Sequence, residues 1–195
     1  MGDPGQLIVI GGSAGALEAL AVFLPRLPAD YPIPMALLIH LPPDRPSLLA
    51  SVLASQCRLA VREVEDKEQP AAATLHVAVP NYHLLVERRG CFSLSVDDAV
   101  NFSRPSIDVL FESAADAYGD ALICVLLGGA NHDGALGLAH VAARGGTTLV
   151  QSPASARAPT MPEAALRMTT PTHVLTPAGI GDFLLGLVPP PLEER

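Results

Sequence analysis

The chain has 195 residues, of which 49% are hydrophobic and only 16% are charged, with a mean hydropathy of +0.35. This balance excludes an intrinsically disordered chain or a coiled coil, and the length suits one domain with a sizeable core. The formal net charge is -8 and Lys67 is the only lysine, which argues against binding to nucleic acid because phosphate contacts need clustered Lys and Arg.

The cysteines and the chain start indicate the compartment. Cys57, Cys91 and Cys124 form no C-x-x-C pair and share no metal-like spacing with histidine, so we expect three reduced thiols and no metal site. The N-terminus lacks a basic segment followed by an apolar one, and no apolar run approaches the roughly 20 residues of a membrane-spanning helix. These features predict a cytoplasmic protein without membrane insertion.

The first elements follow a strand, turn and helix pattern. Leu7–Ile10 is apolar without alternation, which is typical of a strand buried on both faces. The glycine-rich segment Gly11–Gly15 follows, and apolar residues then recur at helical spacing. Met35–His40 predicts a second buried strand, and a helix is expected near Ser47–Ala54.

The middle of the chain changes character. Four short strand candidates are separated by polar or Pro/Gly turns: Ala60–Glu63, Leu75–Val79, His83–Glu87 and Phe92–Val96. We interpret them as an antiparallel hairpin excursion, over about residues 60–96, at one edge of a sheet.

From Ser106 the alternation of helix and strand returns. The predicted elements are a helix over 106–118, a strand Ala121–Leu127, a helix over 135–144, strands at Thr147–Gln151 and near 173–175, a short helix between these strands, and a last helix to Leu187. The alternation predicts an α/β fold, a doubly wound, mostly parallel sheet with helices on both faces. We expect residues 1–188 to form a single domain and 189–195 to be a flexible Pro-rich tail.

Three predicted strands lead into chemically capable residues. Ser13 follows the first strand, His40 ends the second, and Asp133 follows the strand Ala121–Leu127 through a glycine-rich loop. The carboxyl ends of parallel strands meet at one edge of the sheet, where ligands bind. Because a nucleophilic serine needs a base, and that base an orienting acid, the three residues predict a serine hydrolase triad.

The segment around Ser13 also admits other interpretations. Gly11–Gly15 reads G-x-S-x-G between a strand and a helix, a context that presents a nucleophile. Serine there is also a common helix N-cap. A dinucleotide-binding turn is less favoured, because Ser13 occupies a glycine position of G-x-G-x-x-G and the next strand ends in His40 rather than an acid.

The other two residues have structural alternatives as well. A histidine at a strand end is often structural, although Pro42 and Pro43 would fix the backbone that follows His40. Asp133 suits a helix N-cap, a role compatible with catalysis, and Ser106 suits the N-cap of the helix that follows it. The glycines of the segment 128–134 suggest backbone N–H groups forming an oxyanion hole, and we expect His132 to face solvent or substrate.

Several motifs in order along the chain resemble one family. They are Ile8–Leu20, IHLPP around His40, VPNYHL from Val79, RPSIDVLFESAA from Arg104, HDGALGL from His132 and QSPASARAPTMPEAAL from Gln151. This set resembles the CheB-type protein-glutamate methylesterases of bacterial chemotaxis over nearly the whole chain.

The resemblance implies roles for individual residues. It assigns Ser13 as nucleophile, His40 as base, Asp133 as orienting acid and the backbone N–H of Ala130 as oxyanion-hole donor. It implies no cofactor, and a substrate consisting of glutamate γ-methyl esters on the helices of methyl-accepting chemotaxis receptors. Some family members also deamidate glutamine there.

The sequence departs from the family pattern near the predicted site. The family loop usually reads TGMGxDG, whereas residues 128–134 read GGANHDG; Ala14 replaces a common threonine and Ser103 a frequent histidine. Family members usually carry an N-terminal receiver domain, but the first predicted strand begins at Leu7. We therefore expect the catalytic domain alone, either a free-standing hydrolase controlled by a separate protein or part of a longer chain.

Two alternatives to a receptor methylesterase stay open. An esterase of the same fold could act on another protein or on a small ester. The altered 128–134 loop could instead belong to a catalytically weak module that binds a signalling partner. A receptor helix as substrate would require an open, shallow cleft rather than a deep pocket.

Overall fold

The computed structural model describes residues 5–41 and 47–188. The tail predicted at 189–195 lies outside these ranges, as do Pro42 and Pro43, which the sequence predicts to fix the backbone after His40.

The strands and helices follow the predicted alternation closely. The strands are β1 Leu7–Gly12, β2 Met35–Ile39, β3 Ala60–Glu63, β4 Thr74–Val77, β5 His83–Val86, β6 Phe92–Ser95, β7 Leu122–Leu126, β8 Thr147–Gln151 and β9 His173–Leu175. The helices are α1 Ala16–Phe23, α2 Leu49–Ala54, α3 Ile107–Tyr118, α4 Ala135–Ala143, α5 Thr160–Met168 and α6 Pro177–Gly186.

A seven-stranded parallel sheet organises the molecule. Its strand order is β3-β4-β2-β1-β7-β8-β9, and each neighbouring pair is parallel. Because successive side chains of a strand point to opposite faces, Leu7 and Val9 join one core cluster while Ile8 and Ile10 join another. The first cluster includes residues of α3, α4 and α5, and the second includes residues of α1, α2 and α6. The predicted α/β class with helices on both faces is confirmed.

The antiparallel excursion is shorter than the sequence predicts. Within residues 60–96, all of which the structure describes, only β5 and β6 form an antiparallel hairpin, with His83 opposite Ser95. The segments at 60–63 and 74–77 are instead parallel strands of the main sheet, with β4 paired to β2 and β3 paired to β4. Strand patterns four residues long report burial but carry no information about direction, so the range 60–96 was too wide.

The strand order brings three chain segments together. β1 lies between β2 and β7, and the chain crosses from one side of β1 to the other after the hairpin. In open parallel sheets such a switch point leaves a crevice at the carboxyl ends of the strands. The residues that follow β1, β2 and β7 therefore converge at one place.

Candidate active site

Ser13 lies directly after β1, in a tight turn toward α1. Its backbone N–H donates to the carbonyl oxygen of Gly128 at 2.8 Å, which ties the turn to the loop after β7. A Cβ at Gly12 would lie 2.7 Å from Cβ of Ala16, so only glycine permits this close approach. The N-cap of α1 is Gly15, with φ 84°, so the alternative interpretation of Ser13 as the N-cap is wrong.

His40 lies beside Ser13 at the end of the neighbouring strand. Gly12 pairs with Ile39, and the N–H of His40 donates to the carbonyl oxygen of Gly12 at 3.2 Å. Ser13 and His40 are thus the next residues beyond a paired position on adjacent strands. Among the described residues no hydrogen bond joins the Ser13 hydroxyl to the imidazole, and such catalytic contacts often tighten only when substrate binds.

A direct contact links His40 to Asp133 across 93 residues of sequence. The distance from Nε2 of His40 to Oδ2 of Asp133 is 2.8 Å, and the Asp133 side chain has no solvent exposure. A carboxylate only accepts hydrogen bonds, so in the neutral imidazole the proton is on Nε2 and the lone pair on Nδ1. This tautomer leaves Nδ1 as the nitrogen available to accept a proton.

Asp133 is held by the start of a neighbouring helix. Its Oδ1 accepts from the Ser106 hydroxyl at 2.7 Å and the Asp108 N–H at 3.2 Å, and its Oδ2 accepts from the Ile107 N–H at 2.6 Å. The positive end of α3 therefore stabilises the carboxylate. Asp133 does not cap its own helix α4, whose N-cap is Gly134.

Ser106 occupies the predicted N-cap position of α3 but does not act as a conventional cap. Its side chain makes no capping hydrogen bond and instead donates to the buried carboxylate. The carboxylate of Asp133 accepts from the first two N–H groups of α3, those of Ile107 and Asp108, and the second of these is one that an N-cap side chain would normally satisfy.

Asn101 is a site residue that the sequence analysis missed. Its Nδ2 donates to Oδ1 of Asp133 at 2.9 Å and to Oδ2 of Asp108 at 2.7 Å, so one amide group bridges two buried carboxylates. Burial raises the pKa of Asp108, the N–H of Gly137 opposes that effect, and the charge of Asp133 adds to it. Asparagine tolerates its φ of 52°, but sequence alone does not reveal the carboxylates that it contacts.

The hydrogen bonds around Asp133 predict an acid-sensitive contribution to stability. Burial raises its pKa, but hydrogen bonds from His40, Asn101, Ile107 and Ser106 outweigh burial and lower the pKa from 3.8 to about 2. The folded pKa is below the unfolded one, so this contribution is present above pH 3.8 and is lost as pH falls through about 2. We expect it to amount to about 2 kcal/mol.

Urea unfolding at pH 5 and at pH 2.5, compared between wild type and Asp133→Asn, measures this contribution. The variant should lose less stability than wild type between the two values. Equal losses in both proteins would contradict the assignment of a depressed pKa to Asp133.

The loop after β7 supplies the remaining polar groups. The N–H of Gly128 donates to Oε1 of Gln151 at 2.8 Å, and the N–H of Gly129 donates to the carbonyl oxygen of Ala158 at 3.0 Å. Ala130 is exposed, and its N–H has no hydrogen-bond acceptor among residues 5–41 and 47–188. That free donor is the one that the family resemblance assigns to the oxyanion hole.

The two residues between Ala130 and Asp133 face different surroundings. Oδ1 of Asn131 accepts from the N–H of Asp133 at 3.1 Å, and its Nδ2 lies 3.5 Å from Nδ1 of His40. Asn131 thus reaches the imidazole nitrogen that Asp133 leaves free. His132 is exposed, as the sequence analysis expects.

A shallow recess opens beside the imidazole. It has a volume of about 120 Å³ and is lined by His40, Leu41, Phe102, Ser103, Arg104 and Pro105. A recess of this size suits part of a side chain rather than a whole small molecule, because ligand pockets usually reach several hundred Å³.

Other candidate centres add little to this site. All three cysteines are free, and no group of three or more potential metal ligands occurs within the described ranges. No helix in those ranges is both long and apolar enough to span a bilayer.

The sequence is similar to one known family and to several of its members. The family described as CheB methylesterase matches residues 8–184. A Leptospira interrogans protein, named provisionally as a protein-glutamate methylesterase/protein-glutamine glutaminase, is 41% identical over 97% of this chain and 98% of its own length. An Archaeoglobus fulgidus protein-glutamate methylesterase/protein-glutamine glutaminase is 34% identical over 96% of this chain, which spans 55% of that relative.

A solved structure supports the same relationship. The crystal structure of the Thermotoga maritima CheB methylesterase catalytic domain superimposes with a TM-score of 0.89 at 31% identity. The match covers 94% of this chain and 99% of that domain. The chain therefore belongs to the CheB methylesterase family.

Proposed function

We propose that this protein is a serine hydrolase that removes methyl groups from glutamate γ-methyl esters on chemotaxis receptors. The observation that carries the proposal is the 2.8 Å contact between His40 and buried Asp133, next to Ser13 at the switch point of the sheet. The names of the relatives support both the ester substrate and a second activity, deamidation of glutamine.

The first half of the proposed reaction forms an acyl-enzyme. Oγ of Ser13 attacks the γ-carbonyl carbon while Nδ1 of His40 takes the hydroxyl proton, and Asp133 stabilises the imidazolium. The oxyanion of the tetrahedral intermediate accepts a hydrogen bond from the free N–H of Ala130. The intermediate then expels the methoxy group, which leaves as methanol with the proton from His40.

The second half restores the enzyme. Water loses a proton to His40 and attacks the acyl carbon, and collapse of the intermediate returns the proton to Ser13. The products are a glutamate carboxyl and free serine, so the steps need no cofactor. We further propose that the protein acts in the cytoplasm, with receptor helices as substrate and a separate regulatory protein as a further partner.

Mass spectrometry of receptor peptides tests the proposal. Peptides carrying glutamate γ-methyl ester, and matched peptides carrying glutamine, are incubated with the protein and their masses followed with time. We expect ester to convert to acid, with methanol released in equal amount. Ester peptides that stay intact while a small ester is hydrolysed would contradict the receptor substrate and favour the alternative esterase.

A phosphonate probe tests whether the protein is an enzyme at all. A fluorophosphonate forms a covalent bond to an activated serine, and peptide mapping should locate the label on Ser13. Protein that stays unlabelled would favour the alternative, a catalytically weak module that binds a signalling partner. The observation behind that alternative is the GGANHDG sequence of the 128–134 loop, which departs from the family pattern.

A further inference from the structure

The segment Val100–Ser103 forms a tight reversal at the mouth of the candidate site. The N–H of Val100 donates to the carbonyl oxygen of Ser103 at 3.1 Å, and the N–H of Ser103 donates to the carbonyl oxygen of Val100 at 2.9 Å. Its two central residues, Asn101 and Phe102, have φ values of 52° and 58°. Two positive values are typical of type I′ turns, in which Asn-Gly is the preferred pair.

Phe102 is an unfavourable residue for this position in two ways. A side chain with a Cβ is disfavoured in the left-handed region, where glycine is the common choice. Its side chain is also fully exposed, at 103% of the reference value, so the ring gains nothing from burial. Strained residues of this kind cluster at functional sites.

The turn is held in a fixed position relative to the imidazole. Asn101 points inward and binds Asp133 at 2.9 Å, so the turn is anchored on the residue that contacts His40. On the other side, Nη1 of Arg104 donates to the carbonyl oxygen of Val96 at 2.9 Å and its Nη2 donates to Oδ1 of Asn81 at 2.8 Å. The hydrogen bonds of Asn101, directly before Phe102 in the chain, and of Arg104, shortly after it, therefore fix the backbone that carries the Phe102 ring.

The recess places the ring of Phe102 near the candidate base, because Phe102 and His40 line the same space of about 120 Å³. Building on the proposed function, we infer that Phe102 is a specificity-determining residue that contacts an apolar side chain of the substrate protein adjacent to the esterified glutamate. A protein substrate would cover the exposed ring when its ester reaches Ser13. A small ester would not extend that far.

Steady-state kinetics of Phe102→Gly on two substrates tests the inference. With a radiolabelled, methyl-esterified receptor fragment we expect KM to rise about tenfold, with kcat changed less than twofold. With p-nitrophenyl acetate, kcat/KM should stay within about twofold of wild type. The Tm should not fall, because glycine relieves the left-handed strain.

Two further variants serve as controls. Phe102→Tyr retains the ring and should keep the wild-type KM for the receptor fragment. Val22→Ala removes an exposed apolar side chain from α1, distant in sequence from the recess, and should leave both substrates unaffected.

The outcomes separate this inference from the proposed function. If wild type demethylates the receptor fragment and Phe102→Gly does so with unchanged KM, the role of Phe102 is wrong while the esterase stands. If Phe102→Gly loses activity on both substrates equally, the residue supports the site rather than selecting the substrate, and the inference is overturned. If wild type hydrolyses only the small ester, the proposed function itself fails.

Discussion

Replacing Ser13 with alanine should reduce methanol release from methylated receptor by roughly 10⁴- to 10⁶-fold. The substitution removes the only protein atom that bonds to the substrate carbonyl carbon in the proposed mechanism. The variant should still bind the receptor and should keep the native fold. The measurement is the rate of methanol release at saturating receptor, together with Kd for the receptor fragment.

The stability of the same variant separates a catalytic from a structural serine. Ser13 does not cap α1, and its hydroxyl makes no hydrogen bond among the described residues, so the free energy of unfolding should change by less than about 0.5 kcal/mol. Ser152 directly follows β8 in the same sheet, which makes Ser152→Ala a matched control that should keep full activity. If Ser13→Ala released methanol at the wild-type rate, the proposed mechanism would be wrong.

The second large effect is expected for Asp133→Asn, which should lower kcat by about 10⁴-fold. An asparagine has no negative charge with which to stabilise the imidazolium. When its amide NH₂ group faces Nε2 of His40, it donates to that nitrogen and holds the ring in the wrong tautomer. The change also leaves buried donors without a carboxylate partner, among them Ser106 and the N–H of Ile107. We expect a loss of roughly 2–4 kcal/mol in the free energy of unfolding.

Because this variant is less stable, its activity must be measured where it is folded. Circular dichroism fixes a temperature at which wild type and Asp133→Asn are both native, and methanol release is compared there. Asp182→Asn, which breaks an exposed ion pair with Arg26, should cost less than about 1 kcal/mol and leave the rate unchanged. Full activity in folded Asp133→Asn would show that the contact with His40 has no catalytic role.

Several features of the fold were accessible from sequence because they depend on neighbouring residues. The apolar runs at 7–10 and 35–39 are strands buried throughout, and the helix after residue 106 begins one residue later than expected. The alternation of strands and helices predicts parallel strands, which places the residues that follow them at one edge. The proximity of His40 and Asp133 follows from this rule without knowledge of any contact.

The surroundings of Asp133 were not accessible in the same way. Asn101, Ser106 and Ile107 contact its carboxylate only because α3 packs against β1 and β7, with the hairpin strand β5 packed against α3. Nothing local in the sequence distinguishes Ser106 as a donor to a buried carboxylate from Ser106 as an ordinary N-cap.

The sequence by itself determined which segments are strands or helices and which residues stand at strand ends, since burial and periodicity are properties of short stretches. Only the tertiary structure decided that β3 and β4 run parallel to β2, that α3 directs its N-terminus at Asp133, and that Phe102 stands strained and exposed beside His40. The physical reason is that strand direction and hydrogen-bond partners are set by packing between residues far apart in the chain, whose energies no local pattern records.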